Sequence, residues 1–379
     1  MPYLKLSTYR LLITVVLLTF SPTCILGGNS SAPCSTLASL LHGKVSYPYD
    51  KSYTASILSY FFQEARLTPT CIVSPASSLD VSLIVNTIVE SRKNSSKSTS
   101  FAIRSGGHAP VAGAANINDG VTIDLRAMKS ITINQNHTVT SVGAGSLWQD
   151  VYQKVEAMNL SVVGARVAGL GVGGLITGGQ CLIARIVLWS AAKEIKSGGI
   201  SFFSPQKGFA CDNVVNMEVV LANGEIVYAN NTENADLFTA LKGGSNNFGI
   251  VTRFDLRTYS QGDFWGGFIF YPGSTVNRQL QAFEDFMTPA NFDPYAEMIC
   301  AIGYEGAIEN FVVSNGIYYT KPIANPPVFQ PFTSIQPQLG TTMRISNITD
   351  FVTEEASQQP ANSRYVQLLQ RSPRISSKG

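Results

Sequence analysis

The glycine spacing between Ser105 and Gly179 constrains this chain more than any other feature. A Gly-Gly-His triplet at positions 106–108 is followed by a second run that has a glycine at almost every second position. Glycine lets the main chain approach a ligand closely and point successive N–H groups at an anion. The later glycines of the stretch are Gly143, Gly145, Gly164, Gly169, Gly171, Gly173, Gly174, Gly178 and Gly179. The pattern predicts a pyrophosphate site, and glycines that serve only tight turns are the alternative.

Length and composition narrow the class of protein. The chain has 379 residues, which suits two domains of ~150 residues each. Charged residues are 14% of the total, and the net charge of +2 is spread without basic blocks, so no nucleic-acid partner is predicted. The three histidines are His42, His108 and His137, and no Cys-x-x-Cys or His-x-x-x-His spacing occurs. We therefore predict no structural metal.

The N-terminus is typical of a secretory signal peptide, which we place at residues 1–27. Lys5 and Arg10 precede a short apolar run over 11–20, and small residues follow around Gly27. A membrane anchor is the alternative, but the run is about half of the ~20 residues that a membrane span needs. We predict a secreted, extracellular protein that has no membrane segment after processing.

Secretion gives meaning to the sequons and the cysteines. Asn-x-Ser/Thr triplets become candidate glycan sites at Asn29, Asn94, Asn136, Asn159, Asn230 and Asn347. Cys24 leaves with the signal peptide, and Cys34 and Cys71 bracket the first mature segment. We predict a disulfide between Cys34 and Cys71.

Hydrophobic periodicity predicts an α+β fold with two subdomains and the ligand between them. A strand at 71–73, a helix at 77–90 and strands at 101–103 and 121–125 form a β-α-β unit, with the Gly-Gly-His triplet after the strand at 101–103. Further predicted elements are hairpins at 131–133/138–142 and 214–221/225–229, helices at 147–158 and 236–241, and a strand at 249–256.

Residues 169–174 match the dinucleotide fingerprint G-x-G-x-x-G, but we reject a Rossmann fold. That motif has to open a helix, whereas the glycines at 178 and 179 indicate a loop, and no parallel β-α-β repeat follows.

Four motifs in one order resemble the FAD-binding domain of the berberine bridge enzyme-like oxidases, in the vanillyl-alcohol oxidase (PCMH-type) superfamily. They are Arg104-Ser105-Gly106-Gly107-His108, Val172-Gly173-Gly174 with Thr177-Gly178-Gly179, Gly208 to Val214, and Gly243 to Thr252. The resemblance implies that Arg104 to Gly107 cradle the FAD pyrophosphate and that His108 bonds to the 8α-methyl carbon of the flavin. The cofactor-binding positions that it implies are Arg104, Ser105, Gly106, Gly107, Gly169, Val172, Gly173, Gly174, Thr177, Gly178, Gly179, Asp212, Asn213, Ile250 and Val251.

The chemistry of His108 agrees with that role, because an imidazole nitrogen is nucleophilic at neutral pH. An ordinary surface histidine is the alternative. No motif surrounds His42 or His137, and we assign them no role.

The chain departs from the family pattern in three ways. Val167 stands where many members carry a cysteine that tethers the flavin a second time, so a single tether is expected. Residues 180–198 interrupt what would otherwise be a continuous Thr-Gly-Gly-Gly-Ile-Ser-Phe-Phe, and we interpret them as an insertion, either a retained in-frame intron or a surface excursion. The chain also stops before the family's late Tyr-x-Asn segment. The predicted domains are an FAD-binding domain at 28–258 and a partial α+β substrate domain with an antiparallel sheet at 259–379.

The resemblance implies an FAD-dependent oxidase, which we predict to be secreted and monomeric. A substrate alcohol, sugar or specialised metabolite would give a hydride to the flavin, and O2 would reoxidise it to form H2O2. We assign no catalytic base; the tyrosines weighed for that role, Tyr271, Tyr304, Tyr318 and Tyr319, are better explained as core or wall residues. The alternatives are an inactive flavoprotein or non-binding fragment, and a secreted carbohydrate-binding module that would leave the Gly-Gly-His triplet unused.

Overall fold

The computed structural model describes residues 32–94, 100–178, 198–306, 309–359 and 361–364. The predicted signal peptide, Gly179 and residues 180–197 of the predicted insertion lie outside the described residues.

Strands and helices are numbered in chain order. The strands are β1 Val45–Ser46, β2 Cys71–Val73, β3 Phe101–Arg104, β4 Val121–Asp124, β5 Ile131–Ile133, β6 Val139–Gly143, β7 Leu160–Val162, β8 Val214–Val220, β9 Ile226–Asn230, β10 Ile250–Ser260, β11 Phe264–Pro272, β12 Ala296–Glu305, β13 Asn310–Tyr319, β14 Gly340–Thr341 and β15 Arg344–Ser346. The α-helices are α1 Ala32–Leu40, α2 Lys51–Leu58, α3 Ser78–Asn94, α4 Trp148–Glu156, α5 Val172–Thr177, α6 Ser204–Lys207, α7 Ala235–Leu241, α8 Val276–Phe286, α9 Gln330–Thr333 and α10 Ile348–Ser357.

The first sheet has the order β1-β2-β4-β3, in which β2 and β3 both run parallel to β4. Helix α3 connects β2 to β3 and buries Val81, Ile84, Val85 and Ile88. That spacing puts the four side chains on one face of a helix, which packs on the sheet. The predicted β-α-β unit is confirmed, and it places the Gly-Gly-His triplet at the carboxyl end of β3.

The second sheet is antiparallel, with the order β5-β6-β10-β8-β9, and β7 pairs with the far end of β10. Both predicted hairpins are present, as β5/β6 and β8/β9. Helix α4 buries Trp148, Val151, Tyr152 and Val155 as its amphipathic pattern predicts.

A third sheet follows, with the order β12-β13-β11, and β14 and β15 both pair with β11. One side of it forms a second hydrophobic core, to which α8 and α9 contribute. Helix α10 returns to the first part of the chain: the Val352 carbonyl accepts from Ala168 N–H at 2.8 Å. The predicted α+β class, with an antiparallel sheet after the FAD-binding region, is confirmed.

One argument against a Rossmann fold was wrong in its detail. Residues 172–177 form a short helix, α5, so the glycine fingerprint does open a helix. The rejection itself holds, because β7, the strand before the fingerprint, pairs antiparallel with β10 and no parallel β-α-β unit is built there.

Gly198 belongs to the fold and not to the predicted insertion. It is buried, and its carbonyl accepts from Cys211 N–H at 2.9 Å. A Cβ on Gly198 would lie 2.8 Å from the Ile176 carbonyl oxygen, so the chain re-enters the described fold beside the point where it left. Because Gly179 and Gly198 are both glycine, removing 179–197 or 180–198 leaves the same sequence.

Within the described ranges, no helix combines the length and apolar character needed to cross a membrane.

Cys34 and Cys71 form the predicted disulfide. The two Cα atoms are 6.1 Å apart, and the bond joins α1 to β2 across 37 positions of sequence. Both cysteines are fully buried, so the bond ties the N-terminal helix to the first sheet within the core.

We expect Cys34→Ala/Cys71→Ala to lower the free energy of unfolding by about 3 to 4 kcal/mol, because the loop closed in the unfolded chain is lost. Guanidinium denaturation measures this, with Cys300→Ala as the control for removing a free, half-buried thiol. A loss no larger than that of the control would contradict the prediction.

Candidate FAD site

The first glycine loop rests on a buried ionic network. The Arg104 guanidinium, at the end of β3, is fully buried; it donates to the Ser56 carbonyl at 2.7 Å and to Ser59 Oγ at 2.9 Å. It lies over the Tyr60 ring at 3.7 Å and 3.8 Å from the Asp124 carboxylate. Burial alone would raise the pKa of Asp124, but the hydrogen bond from Arg126 and the charge of Arg104 hold it below its ordinary value.

This network shows the role of the Arg104 side chain, which points into the fold and forms the platform beneath the loop. The contact of the Arg104 backbone with the pyrophosphate stays a prediction. A Cβ on Gly107 would lie 2.7 Å from the guanidinium, and Gly107 has φ +81°. Only glycine fits at that position without strain.

The main chain above this platform carries unused donors. Within the described residues, the N–H groups of Gly106 and Gly107 donate to no acceptor. Gly107 is buried, and a buried N–H without a partner is costly. Two successive N–H groups of this kind suit the oxygens of a pyrophosphate, which is the fit that FAD requires.

The two glycine loops touch through their backbones. A Cβ on Gly106 would lie 2.5 Å from the Gly171 nitrogen, and a Cβ on Gly171 would collide with Gly106 in turn. Ser105 locks the contact: its Oγ donates to the Ala144 carbonyl at 2.7 Å and accepts from Gly173 N–H at 3.2 Å. The glycines at 106 and 171 are therefore needed for the loops to meet.

Three other glycines of the stretch serve packing against protein. Added Cβ atoms on Gly143, Gly145 and Gly164 would strike the Met128 carbonyl, the Leu125 carbonyl and the Trp148 ring. Their assignment to close ligand approach was wrong. Gly169 and Gly174 differ, because no atom lies within 4 Å of a Cβ there, so an added side chain would enter open space.

Helix α5 is the point where all four sequence motifs converge. The loop at 243–249 docks on it through Ser245 N–H, which donates to the Thr177 carbonyl at 2.8 Å. A Cβ on Gly199 would lie 2.6 Å from Leu175 Cγ, and Gly199 in turn accepts from Ala210 N–H. The motifs are scattered over about 150 residues of sequence and form one structural unit.

The other predicted cofactor residues lie in this unit with their side chains otherwise engaged. Asn213 donates to the Lys207 and Phe209 carbonyls, and the exposed Asp212 accepts from Phe209 N–H. Ile250 and Val251 start the central strand β10 with buried side chains. Thr177 donates back to the Gly173 carbonyl, and Gly178 follows it at the end of α5.

His108 is half-buried and stacks on an aromatic ring that the sequence analysis did not single out. Its ring centroid is 3.9 Å from that of Phe61, with 24° between the planes, and Phe62 contacts it edge-on. Burial lowers the pKa of the His108 imidazole below its ordinary value, which favours the neutral, nucleophilic form. Three consecutive aromatic residues at 60–62, in a segment without clear periodicity, were the signal available in the sequence.

A second buried cluster joins the third sheet to the second glycine loop. Arg166, just before that loop, forms an ion pair with Glu297 of β12. On the neighbouring strand, Tyr318 donates to the Glu355 carboxylate of α10 at 2.9 Å. Burial raises the pKa of Glu355 to about 7, despite the hydrogen bond from Tyr318 and the charge of Arg166.

The four tyrosines weighed as a base are placed as follows. Tyr271 and Tyr318 are fully buried, and Tyr271 donates to the Phe332 carbonyl at 2.8 Å. Tyr319 donates to Asp293 at 3.2 Å, while Tyr304 is exposed on β12. None is assigned as the base. In the described part, no three His, Cys, Asp or Glu side chains are grouped closely enough to hold a metal ion.

Comparison with known proteins agrees with this site. Residues 69–183 match the family described as FAD binding domain. The chain is 39% identical over 352 residues to FAD-dependent monooxygenase CTB5 of Cercospora beticola, covering 90% of this chain and 62% of that protein. The chain is therefore similar to FAD-dependent oxidoreductases over most of its length, and its match to the FAD binding domain family covers residues 69–183.

Solved structures show the same fold. 6-Hydroxy-D-nicotine oxidase from Arthrobacter nicotinovorans superposes with a TM-score of 0.69 at 22% identity, over 82% of this chain and 63% of that one. BBE-like 1 of Physcomitrella patens superposes with a TM-score of 0.67 at 18% identity, over 87% of this chain and 68% of that one. The fold is thus that of the berberine bridge enzyme-like proteins, and the chain spans 62% of the length of CTB5.

Gly106→Ala should separate the two glycine loops, because its Cβ would lie 2.5 Å from the Gly171 nitrogen. We expect FAD binding at least about tenfold weaker and unfolding easier by about 1 to 3 kcal/mol. FAD titration and denaturation test this, and Gly262→Ala is the control because its Cβ would meet no atom within 4 Å. Unchanged FAD affinity would show that the loop contact is not required.

Glu355 should make stability fall as pH rises. The folded-state pKa of Glu355, about 7, exceeds its ordinary value, so the folded protein binds this proton more tightly than the unfolded chain does. The stability gained from this proton is therefore present at low pH and is lost as pH rises through 7. Between pH 5 and 8, wild type should lose about 2 to 3 kcal/mol more than Glu355→Gln. Urea denaturation at both pH values measures the difference.

The control is Glu284→Gln, at an exposed position of α8, which should follow wild type. The same pH dependence in wild type and Glu355→Gln would contradict the raised pKa.

Proposed function

We propose that this chain is the FAD-binding portion of a secreted oxidase that carries its flavin covalently on His108. The observation that carries the proposal is the site above Arg104, where two unpaired backbone N–H groups lie beside the half-buried, stacked imidazole of His108. The donors suit a pyrophosphate, and the imidazole suits a tether.

The residues divide the work in a simple way. The backbone of Ser105 to Gly107 and the open positions Gly169 and Gly174 hold the phosphates, while His108 fixes the ring system. Bound FAD supplies two-electron acceptor chemistry. The chain's own contribution is to orient the cofactor, because the contact between Gly106 and Gly171 holds the two glycine loops together.

The electron acceptor in this proposal is O2, with H2O2 as product, and the donor is an alcohol, sugar or specialised metabolite. A monooxygenase is the second candidate, since CTB5 carries that name at 39% identity. Incubation under 18O2 separates them: an oxidase releases peroxide and leaves no 18O in the product, whereas a monooxygenase transfers one 18O atom. A panel of alcohols and oligosaccharides assayed for peroxide tests the first case.

An inactive flavoprotein is a further alternative. Bound flavin without turnover on any substrate of the panel would favour it. Absence of bound flavin would favour a non-binding fragment and would overturn the proposal.

The proposal includes a secreted monomer with no nucleic-acid or membrane partner, and two observations support its secretion. A buried disulfide at Cys34–Cys71 is typical of oxidising compartments. Among the sequons, Asn136, Asn159 and Asn347 are exposed, whereas the Asn230 amide donates to Asn216 and is engaged in its own turn. Glycan mapping of the secreted protein should find Asn136 modified and Asn230 unmodified.

His108→Ala should abolish covalent attachment and leave reversible FAD binding, because the phosphate donors are backbone groups of its neighbours. On a denaturing gel the wild-type band should fluoresce and the variant band should not, while the native variant still quenches added FAD. His137→Ala, at an exposed position, is the matched control. A fluorescent His108→Ala band would place the tether elsewhere.

A further inference from the structure

The aromatic contact on His108 is unusually well supported by the surrounding chain. The Phe61 ring faces the imidazole at 3.9 Å, and Phe61 N–H donates to the Gly107 carbonyl at 3.2 Å. The Phe61 ring therefore contacts the His108 side chain, and the Phe61 backbone contacts Gly107, the residue before His108.

The segment that carries Phe61 is held on both sides. Tyr60 is buried, donates to the Ala115 carbonyl at 2.8 Å and stacks on Arg104. On the other side, Asn362 N–H donates to the Phe61 carbonyl at 3.0 Å. Because both neighbours are fixed, the Phe61 ring has a defined position against which the imidazole can rest.

We propose that Phe61 is a positioning residue that holds the His108 imidazole in the one ring orientation from which it bonds to the flavin. The inference rests on the proposed covalent tether. A stacked ring fixes the plane of the imidazole and shields one face from water, which leaves a ring nitrogen directed at the edge of the stack. Prior fixation of a nucleophile speeds a bond-forming step because less orientational freedom is lost in it.

Attachment replaces one C–H bond of the flavin 8α-methyl group with a bond to a His108 ring nitrogen. The methyl proton and the imidazole N–H proton are released, the two electrons reduce the flavin, and O2 takes them up with two protons to give H2O2. Phe61 takes no part in the bond changes, so its removal should slow attachment without preventing it.

The test compares Phe61→Leu, which keeps apolar volume without a ring, with Phe61→Tyr, which keeps the ring. Full-length protein made without flavin is incubated with FAD, and covalent flavin is followed by gel fluorescence over time. We expect Phe61→Leu to attach flavin about two- to tenfold more slowly, the size of a stacked aromatic pair, and Phe61→Tyr to match wild type. Phe292→Leu, at an exposed position, is the control.

Two further readouts separate positioning from a general loss of structure. In a His108→Ala background, Phe61→Leu should leave the reversible affinity for FAD unchanged. A loss of FAD affinity there as large as the slowing of attachment would overturn the inference. The NMR titration of His108, assigned by His108→Ala, should move upward in Phe61→Leu as the ring loses its cover. An unmoved titration would contradict the stacking role.

The outcomes also separate this inference from the proposed function. Wild-type protein that binds FAD but never attaches it overturns the tether and the role of Phe61 together. Wild-type protein that attaches flavin, with Phe61→Leu attaching it at the same rate, overturns the role of Phe61 alone.

Discussion

The contact between Gly106 and Gly171 is the constraint on which the rest of the site depends. The two backbones lie so close that a single methyl group on either residue would separate them. Because Ser105 bridges the loops and α5 begins directly after Gly171, that contact sets where α5 stands. The remaining motifs dock on α5. Because the contact between Gly106 and Gly171 positions α5, it also positions these motifs indirectly.

Much of the fold could be predicted because its signals are local. The buried face of α3, the hairpins and the helix at Trp148 follow from spacings of a few residues. The disulfide followed from compartment and position. The part that failed depends on partners far away in sequence: Gly145 packs on the Leu125 carbonyl, and Gly164 packs on the Trp148 ring. A glycine that admits a neighbouring ring and one that admits a ligand look the same in a sequence.

The candidate site divides in the same way. The Gly-Gly-His triplet marked the loop, but the sequence did not show the direction of the Arg104 side chain, since its partners Ser56 and Tyr60 lie in and just after α2 and Asp124 lies in β4. Phe61 was missed for a related reason. The segment around Phe61 has no hydrophobic periodicity, and Phe61 contacts His108 only because the chain after β3 places His108 beside it.

Charged residues are few in this chain, and two of the ion pairs join separate parts of the fold. Only 14% of residues are charged, yet Arg104 and Asp124 are buried beneath the first loop, and Arg166 and Glu297 connect the second loop to the third sheet. Burying such groups is costly unless each finds its partner, so separating either pair would leave an uncompensated buried charge. The first pair fixes the loop relative to its own sheet. The second connects the third sheet to the glycine loop that follows Arg166, and that loop in turn meets the first one at Gly106 and Gly171.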